Sequence, residues 1–209
     1  MAKLHSAIFS RSTKTILLLS LLAVAVAGSA TVYTFFYSNT TGTVRAPDVT
    51  LAAGTDASGS CSVYPCATVA ISGTSDTATV ALSLFKADGT FSPPPSTYYT
   101  NLVQIKDANN AHNIQSISIT NIAQSGTDFG SVTVYYCTVQ CTFNSNGGVS
   151  GGTSVGSYAF TTTTSGVISG TFPQSIGVGV THYIEVVAYA GGSAVLGDTI
   201  TFKVAVQWA

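Results

Sequence analysis

Ser131-Val-Thr-Val-Tyr-Tyr-Cys-Thr-Val-Gln-Cys-Thr142 is rich in β-branched and aromatic residues, has no helical period, and reads as a strand. Runs of the same kind recur on both sides of it. Upstream stand Thr31–Ser38, Thr43–Leu51, Ala67–Ser72, Ala78–Lys86, Tyr98–Ile105 and Ile114–Ile122; downstream stand Tyr158–Thr164, Val167–Phe172, His182–Tyr189 and Asp198–Val206. The breaks carry turn chemistry. Asp88-Gly89 and Gly191-Gly192 accept positive φ without strain, and Ser92-Pro-Pro-Pro95 cannot donate ladder hydrogen bonds. Asn144–Gly156, rich in Gly and Ser, reads as the longest flexible loop. Many short strands at this spacing predict an all-β chain folded as a β-sandwich of jelly-roll type. No internal repeat or linker divides it.

The first residues belong to a different kind of segment. Met1–Lys14 carries Lys3, Arg11 and Lys14 and no acid; Ile16-Leu-Leu-Leu-Ser-Leu-Leu-Ala-Val-Ala-Val-Ala27 is apolar; Gly28-Ser-Ala30 is small. A basic start, an apolar centre and a small-residue exit describe a signal peptide over residues 1–30, cut after Ala30 or Ala27. An uncleaved anchor is the alternative, since Ile16–Phe36 is long enough to span about 30 Å of hydrocarbon. The expectation is export, with membrane contact only through the leader.

What remains, about 175–180 residues, suffices for one domain with a substantial core. It keeps Arg45, Lys86, Lys106 and Lys203 against eight acids, a net charge of 4 − 8 = −4. With no basic patch to neutralise phosphates, nucleic acid is excluded as a partner class. Charged residues make up 7% of the chain, against about 25% in typical soluble proteins. A Ser, Thr, Gly and Asn surface with so little charge suits contact with other subunits or glycans.

Cys61, Cys66, Cys137 and Cys141 survive processing, and in an exported chain paired cysteines are disulfides before they are metal ligands. Their connectivity depends on one strand. If Tyr135–Phe143 runs straight, Cys137 and Cys141 lie about 13 Å apart at about 3.3 Å per residue. Bridged Cα atoms must come within about 7 Å, so a straight strand forces cross-pairing to Cys61 and Cys66. A turn at Thr138–Gln140 instead allows local bridges. Cross-pairing is the reading preferred from the strand pattern.

After the leader comes Thr31-Val-Tyr-Thr-Phe-Phe-Tyr-Ser38. Tyr33, Phe35 and Tyr37 share one strand face, and Val32, Thr34 and Phe36 share the other. Both faces are apolar, as in a strand buried on two sides, yet chain termini fray unless tied down. The polar Asn39-Thr-Thr-Gly-Thr43 then forms a hinge. Such a strand either folds back onto its own sandwich or adds to the next molecule, where main-chain bonds give affinity and side-chain pockets give register. Three aromatics burying about 150–250 Å² each contribute roughly 11–19 kcal/mol before ordering costs. Donation to a neighbour is head-to-tail and need not close, so it builds filaments.

The segment Ile16–Gly54, with its apolar leader, Phe35-Phe-Tyr-Ser38, polar hinge and Ala46-Pro-Asp-Val-Thr-Leu-Ala-Ala-Gly54, is similar to the start of the TasA/camelysin family of biofilm fibre proteins and of archaeal bundling pilins. Ala78-Thr-Val-Ala-Leu-Ser-Leu84 is similar to a core strand of that family. The resemblance implies a jelly-roll domain over residues 44–209, a donor strand and hinge over 31–43, and extracellular fibres that bundle and support biofilms. It tips the choice towards a homopolymer of identical subunits. Alternatives are a type IV pilin-like subunit that retains its N-terminal helix, and a monomeric secreted sandwich that binds carbohydrate or cell wall.

No enzyme motif is present. There is no His-Glu-x-x-His, no Gly-x-Ser-x-Gly elbow and no phosphate loop. His182 and Glu185, three apart in a strand, point to opposite faces and cannot pair as ligands. His112, in Asp107-Ala-Asn-Asn-Ala-His112, reads as part of a solvated turn, and Asp107, Asn109 and Asn110 lack the acidic spacing of a calcium loop. No cofactor is expected. Asn39-Thr-Thr41 is an N-glycosylation sequon and Thr161–Thr164 a candidate for O-linked sugar. Trp208 reads as a cap on the core.

Overall fold

The computed structural model describes residues 48–58, 66–73, 76–83, 96–108, 111–126, 129–192, 194–195 and 198–209. All of them belong to one unit, Ala46–Ala209. They form twelve strands and no helix: β1 (Val49–Ala53), β2 (Cys66–Ile71), β3 (Thr77–Ser83), β4 (Ser96–Asp107), β5 (His112–Ser125), β6 (Phe129–Phe143), β7 (Val149–Phe160), β8 (Gly166–Val167), β9 (Ser169–Gly170), β10 (Gln174–Ile176), β11 (Thr181–Ala190) and β12 (Thr199–Trp208). Two antiparallel sheets result, one ordered β1-β4-β11-β6-β7-β9 and the other β10-β5-β12-β3-β2, with β8 also on β5.

The core lies between the sheets. From the first come Leu102, Ile105, Val134, Tyr136, Ile184 and Val186; from the second come Leu82, Ile117, Ile119, Ile200, Phe202 and Val204. Strand β12 shows how the pattern dictates this. Ile200, Phe202, Val204 and Val206 are buried and alternate with Thr201, Lys203 and Ala205, so one face is dry and the other wet. In β5 the buried isoleucines sit at 114, 117, 119 and 122, and two of these gaps are three residues instead of two. Register shifts against β12 fall at those gaps, between Gln207/Trp208 and between Thr201/Lys203. Each bulge adds one residue and returns the next isoleucine to the core. Asn121, at φ 50°, takes the left-handed conformation at the second.

The segment after β7 passes from sheet to sheet. β8 pairs with β5, β9 with β7, and β10 again with β5. Between the first two, Ile168 is buried and its N–H donates to Ile117 O at 2.9 Å. Gly156 is required by this passage, because a Cβ there would lie 1.9 Å from Ser169 O.

The expected loop at Asn144–Gly156 is therefore corrected. Only residues 144–148 turn, and Val149–Gly156 belongs to β7. Only Phe160 of that strand is fully buried, so no apolar alternation marks it. Its glycines serve close approach; at Gly152, φ +78°, a Cβ would meet Gln140 O at 2.2 Å. The expected strand at Tyr158–Thr164 likewise ends at Phe160, and Thr161–Thr164 is exposed.

Candidate functional site

The proposed donor residues Val32, Tyr33, Thr34, Phe35, Phe36 and Tyr37, with Asn39 and Cys61, lie outside the described residues. Cys66 opens β2 and is disulfide-bonded. Cys137 is bonded to Cys141, with Cα atoms 6.2 Å apart. Cross-pairing is thus overturned, and so is the straight strand on which it rested. The β6–β7 register shifts at Tyr136/Cys137, Cys137/Val139 and Val139/Thr142, so β6 bends between its two cysteines.

The bend carries the end of β6 across the outer face of its own sheet. Phe143 packs on Tyr135 of β6 (5.2 Å between ring centres) and on Tyr98 of β4 (5.9 Å), with β11 between those strands. The turn that follows is held by phenol donors from that face. Tyr98 Oη donates to Asn144 O (3.0 Å), Tyr189 Oη to Asn146 O (2.7 Å) and Tyr135 Oη to Gly147 O (3.1 Å). Asn144 Oδ1 accepts from the N–H groups of Asn146 and Gly148, both at 3.0 Å. Gly147, at φ +76°, rests on Tyr189 and Val187, where a Cβ would come within 2.4 Å of Tyr189 Oη. Val187, an outward position, is buried as a result.

Beneath this hairpin lies Glu185, 0% exposed. Its Oε1 accepts the Cys141 N–H at 2.8 Å, while Oε2 has no hydrogen-bond partner. Cys137 Sγ, Cys141 Sγ and a Glu185 carboxylate oxygen lie within 4.8 Å of one another. Burial pushes the carboxyl pKa up to about 7, the Cys141 N–H opposes this, and the Asp56 charge adds to it. Asp56 is held close by β4, its Oδ2 accepting from Thr100 N (2.7 Å) and Asn101 N (3.0 Å). These lie where β4 carries two extra residues opposite β11, between Val103 and Tyr99. Gln140, in the bend, donates to Thr100 Oγ1 at 3.3 Å. The arrangement offers a carboxyl that exchanges its proton near neutral pH beside a sulfur–sulfur bond. Bonded to each other, the sulfurs present no thiolate to a metal.

Glu185 and His182 face opposite ways, as their spacing predicts. His182 is buried in the core with Nδ1 2.7 Å from Tyr136 Oη. Burial lowers the histidine pKa and so favours the neutral imidazole, hydrogen-bonded to the phenol. His112 differs from expectation. It starts β5, its Nδ1 and backbone N–H meet Asp107 Oδ2 at 2.7 and 2.9 Å, and its Nε2 lies 3.6 Å from Asp48. Asp107 is buried, and Trp208 packs its ring edge-on to His112 at 4.8 Å. The solvated turn is thus a bound corner, closed by Asp48 beside β1. Trp208 packs against the core, as expected.

On the remaining rim β1 and β2 border the two sheets. Ala57 bridges Ala67 and Ser58 N–H donates to Ala67 O at 2.7 Å, joining them at one end. Towards Ile71, β2 has no further strand beside it among the described residues. Val69 and Ile71, which pack against the core, are only partly covered there.

No protein-family model matches the chain, and no curated protein matches it.

Proposed function

We propose that this chain is the structural subunit of an extracellular filament. It is exported by the leader at 1–30, and it polymerises when Thr31–Ser38 of one copy completes a sheet of the next. In this reading the domain is a jelly roll. The strand orders β4-β11-β6-β7 and β3-β12-β5-β10 support it, since apart from the β6–β7 hairpin eight antiparallel strands alternate between sheets, with the last two, β11 and β12, inside them. The fibres bundle through a surface poor in charge and serve biofilm formation.

The observation that carries the reading is the β2 rim. Core side chains Val69 and Ile71 are partly uncovered along β2, which has no further strand beside it among the described residues, an arrangement that suits strand addition. The aromatic strand supplies alternate apolar side chains for it. Chains lacking residues 31–38 are expected to be secreted, folded and unable to polymerise, as seen by electron microscopy of sheared cell-surface material. Val69→Arg in the full chain is expected to give the same result from the accepting side. Normal filaments from the deletion would end the donor-strand account.

A further inference from the structure

A bridge that only held the fold together would have no use for an acid at its side. Burying a carboxyl costs free energy unless both oxygens are satisfied, and Glu185 Oε2 is not. An apolar residue of similar size would pack there at lower cost. The Cys137–Cys141 bridge is also local, with a sequence separation of 4. It joins two points of one bend and ties no distant elements together. Its sulfurs are buried, but the chain between them reaches solvent, with Val139 57% exposed and Gln140 exposed.

We propose that Cys137, Cys141 and Glu185 form a thiol–disulfide exchange site for an external dithiol, in which Glu185 is the proton donor to the departing sulfur. Displacement of Val139 and Gln140 opens the bridge to attack. A thiolate of the dithiol bonds to one cysteine sulfur, the Cys–Cys bond breaks, and its electron pair goes to the other cysteine sulfur. That sulfur takes the Glu185 proton. The second thiolate of the dithiol then attacks the mixed disulfide and releases the first cysteine, which takes a proton from water. The protein disulfide has gained two electrons and two protons, and the dithiol has become a disulfide. Glu185 recovers its proton from solvent.

The geometry favours this role. A thiolate leaving into a dry site is costly, and among the described residues the carboxyl grouped with the sulfurs, Glu185, is held by the backbone N–H of Cys141 itself. Its affinity for protons matches neutral conditions. Among the described residues, the other titratable groups near Glu185 or on its side of the sheet are Asp56 after β1, Tyr98 on β4, Tyr135 opposite it on β6, and Tyr183 and Tyr189 on β11; Lys106 is the sole Lys or Arg there. Burial raises the Tyr135 and Tyr189 phenols above their ordinary value, so neither competes as a donor near neutrality.

The test uses the full secreted chain and dithiothreitol, with the dithiothreitol thiolate concentration held constant from pH 5.5 to 8.5. New thiols are alkylated with iodoacetamide and assigned to Cys137 and Cys141 by peptide mass. The rate constant per thiolate is expected to fall about tenfold as pH rises through 7, because the donor ionises. Glu185→Gln is expected to react about tenfold more slowly below pH 7, with a flat profile. A native rate constant that stays level overturns the proposal. So does one that rises through pH 7, since the ionised acid would then merely loosen the hairpin. A Gln variant that keeps the native profile overturns it as well.

Discussion

The outer faces of the two sheets are built from strands of the same alternating kind and end up in opposite conditions. On the β10-β5-β12-β3-β2 sheet the outward residues Thr79, Thr201, Lys203 and Ala205 stay at least partly in water. On the other sheet the outward residues Glu185 and Val187 are as buried as the core. The difference does not come from β11 itself. It comes from a bend in β6, fixed by Cys137–Cys141, that lays Phe143 and the turn at 144–148 over the sheet. One hairpin thus converts a solvated face into a second, small buried layer containing the one glutamate of the chain.

The largest effect expected from breaking this contrast is in pH dependence. Glu185 has a folded pKa of about 7 against an ordinary 4.5, so the folded chain holds an extra proton between these values. Stability should therefore be highest at low pH within that window, fall as pH rises from about 4.5 to 7, and level off above it. The full drop is about 2–3 kcal/mol after allowance for partial screening. Denaturant titrations of Glu185→Gln should lose this slope, leaving the variant more stable than the native chain at pH 8. Next, Cys137→Ala with Cys141→Ala removes the constraint of a five-residue loop, and a loss of about 2 kcal/mol is expected in the same titration. Gly147→Ala forces a side chain into the left-handed region against Tyr189, and should cost about 1–2 kcal/mol and expose Tyr189 to solvent in difference spectra. On the wet face, Lys203→Ala should change stability by no more than about 0.5 kcal/mol. A large loss there would mean that the two faces are not distinct.

The strands with a dry and a wet side were legible in advance. Ile200, Phe202 and Val204 announce β12, and His182–Tyr189 announces β11 with its boundaries within a residue or so. What escaped was whatever depends on contacts distant in sequence. β7 buries little, so its Gly and Ser residues resemble a loop until Gly152 and Gly156 are seen against Gln140 and Ser169. The local disulfide escaped because strand pattern predicts an extended β6, while bulges against β7 shorten it. His112 resembled a turn residue because nothing local shows that Asp107 is buried beside it. Glu185 did leave a signal. A lone acid between Ile184 and Val186-Val187 is out of place on a wet face, although only the folded hairpin reveals what covers it.

The passage of residues 166–176 between the sheets has a mechanical consequence. Its hydrogen bonds reach β5, then β7, then β5, so it works like a lace drawn alternately through the two halves of a shoe. The halves cannot part on that side until the lace is pulled out, and Ile168 sits under it. Fraying should therefore start at the unlaced side, with amide protons of Thr68–Ile71 exchanging long before that of Ile168. A load on the molecule would meet its last resistance along β5.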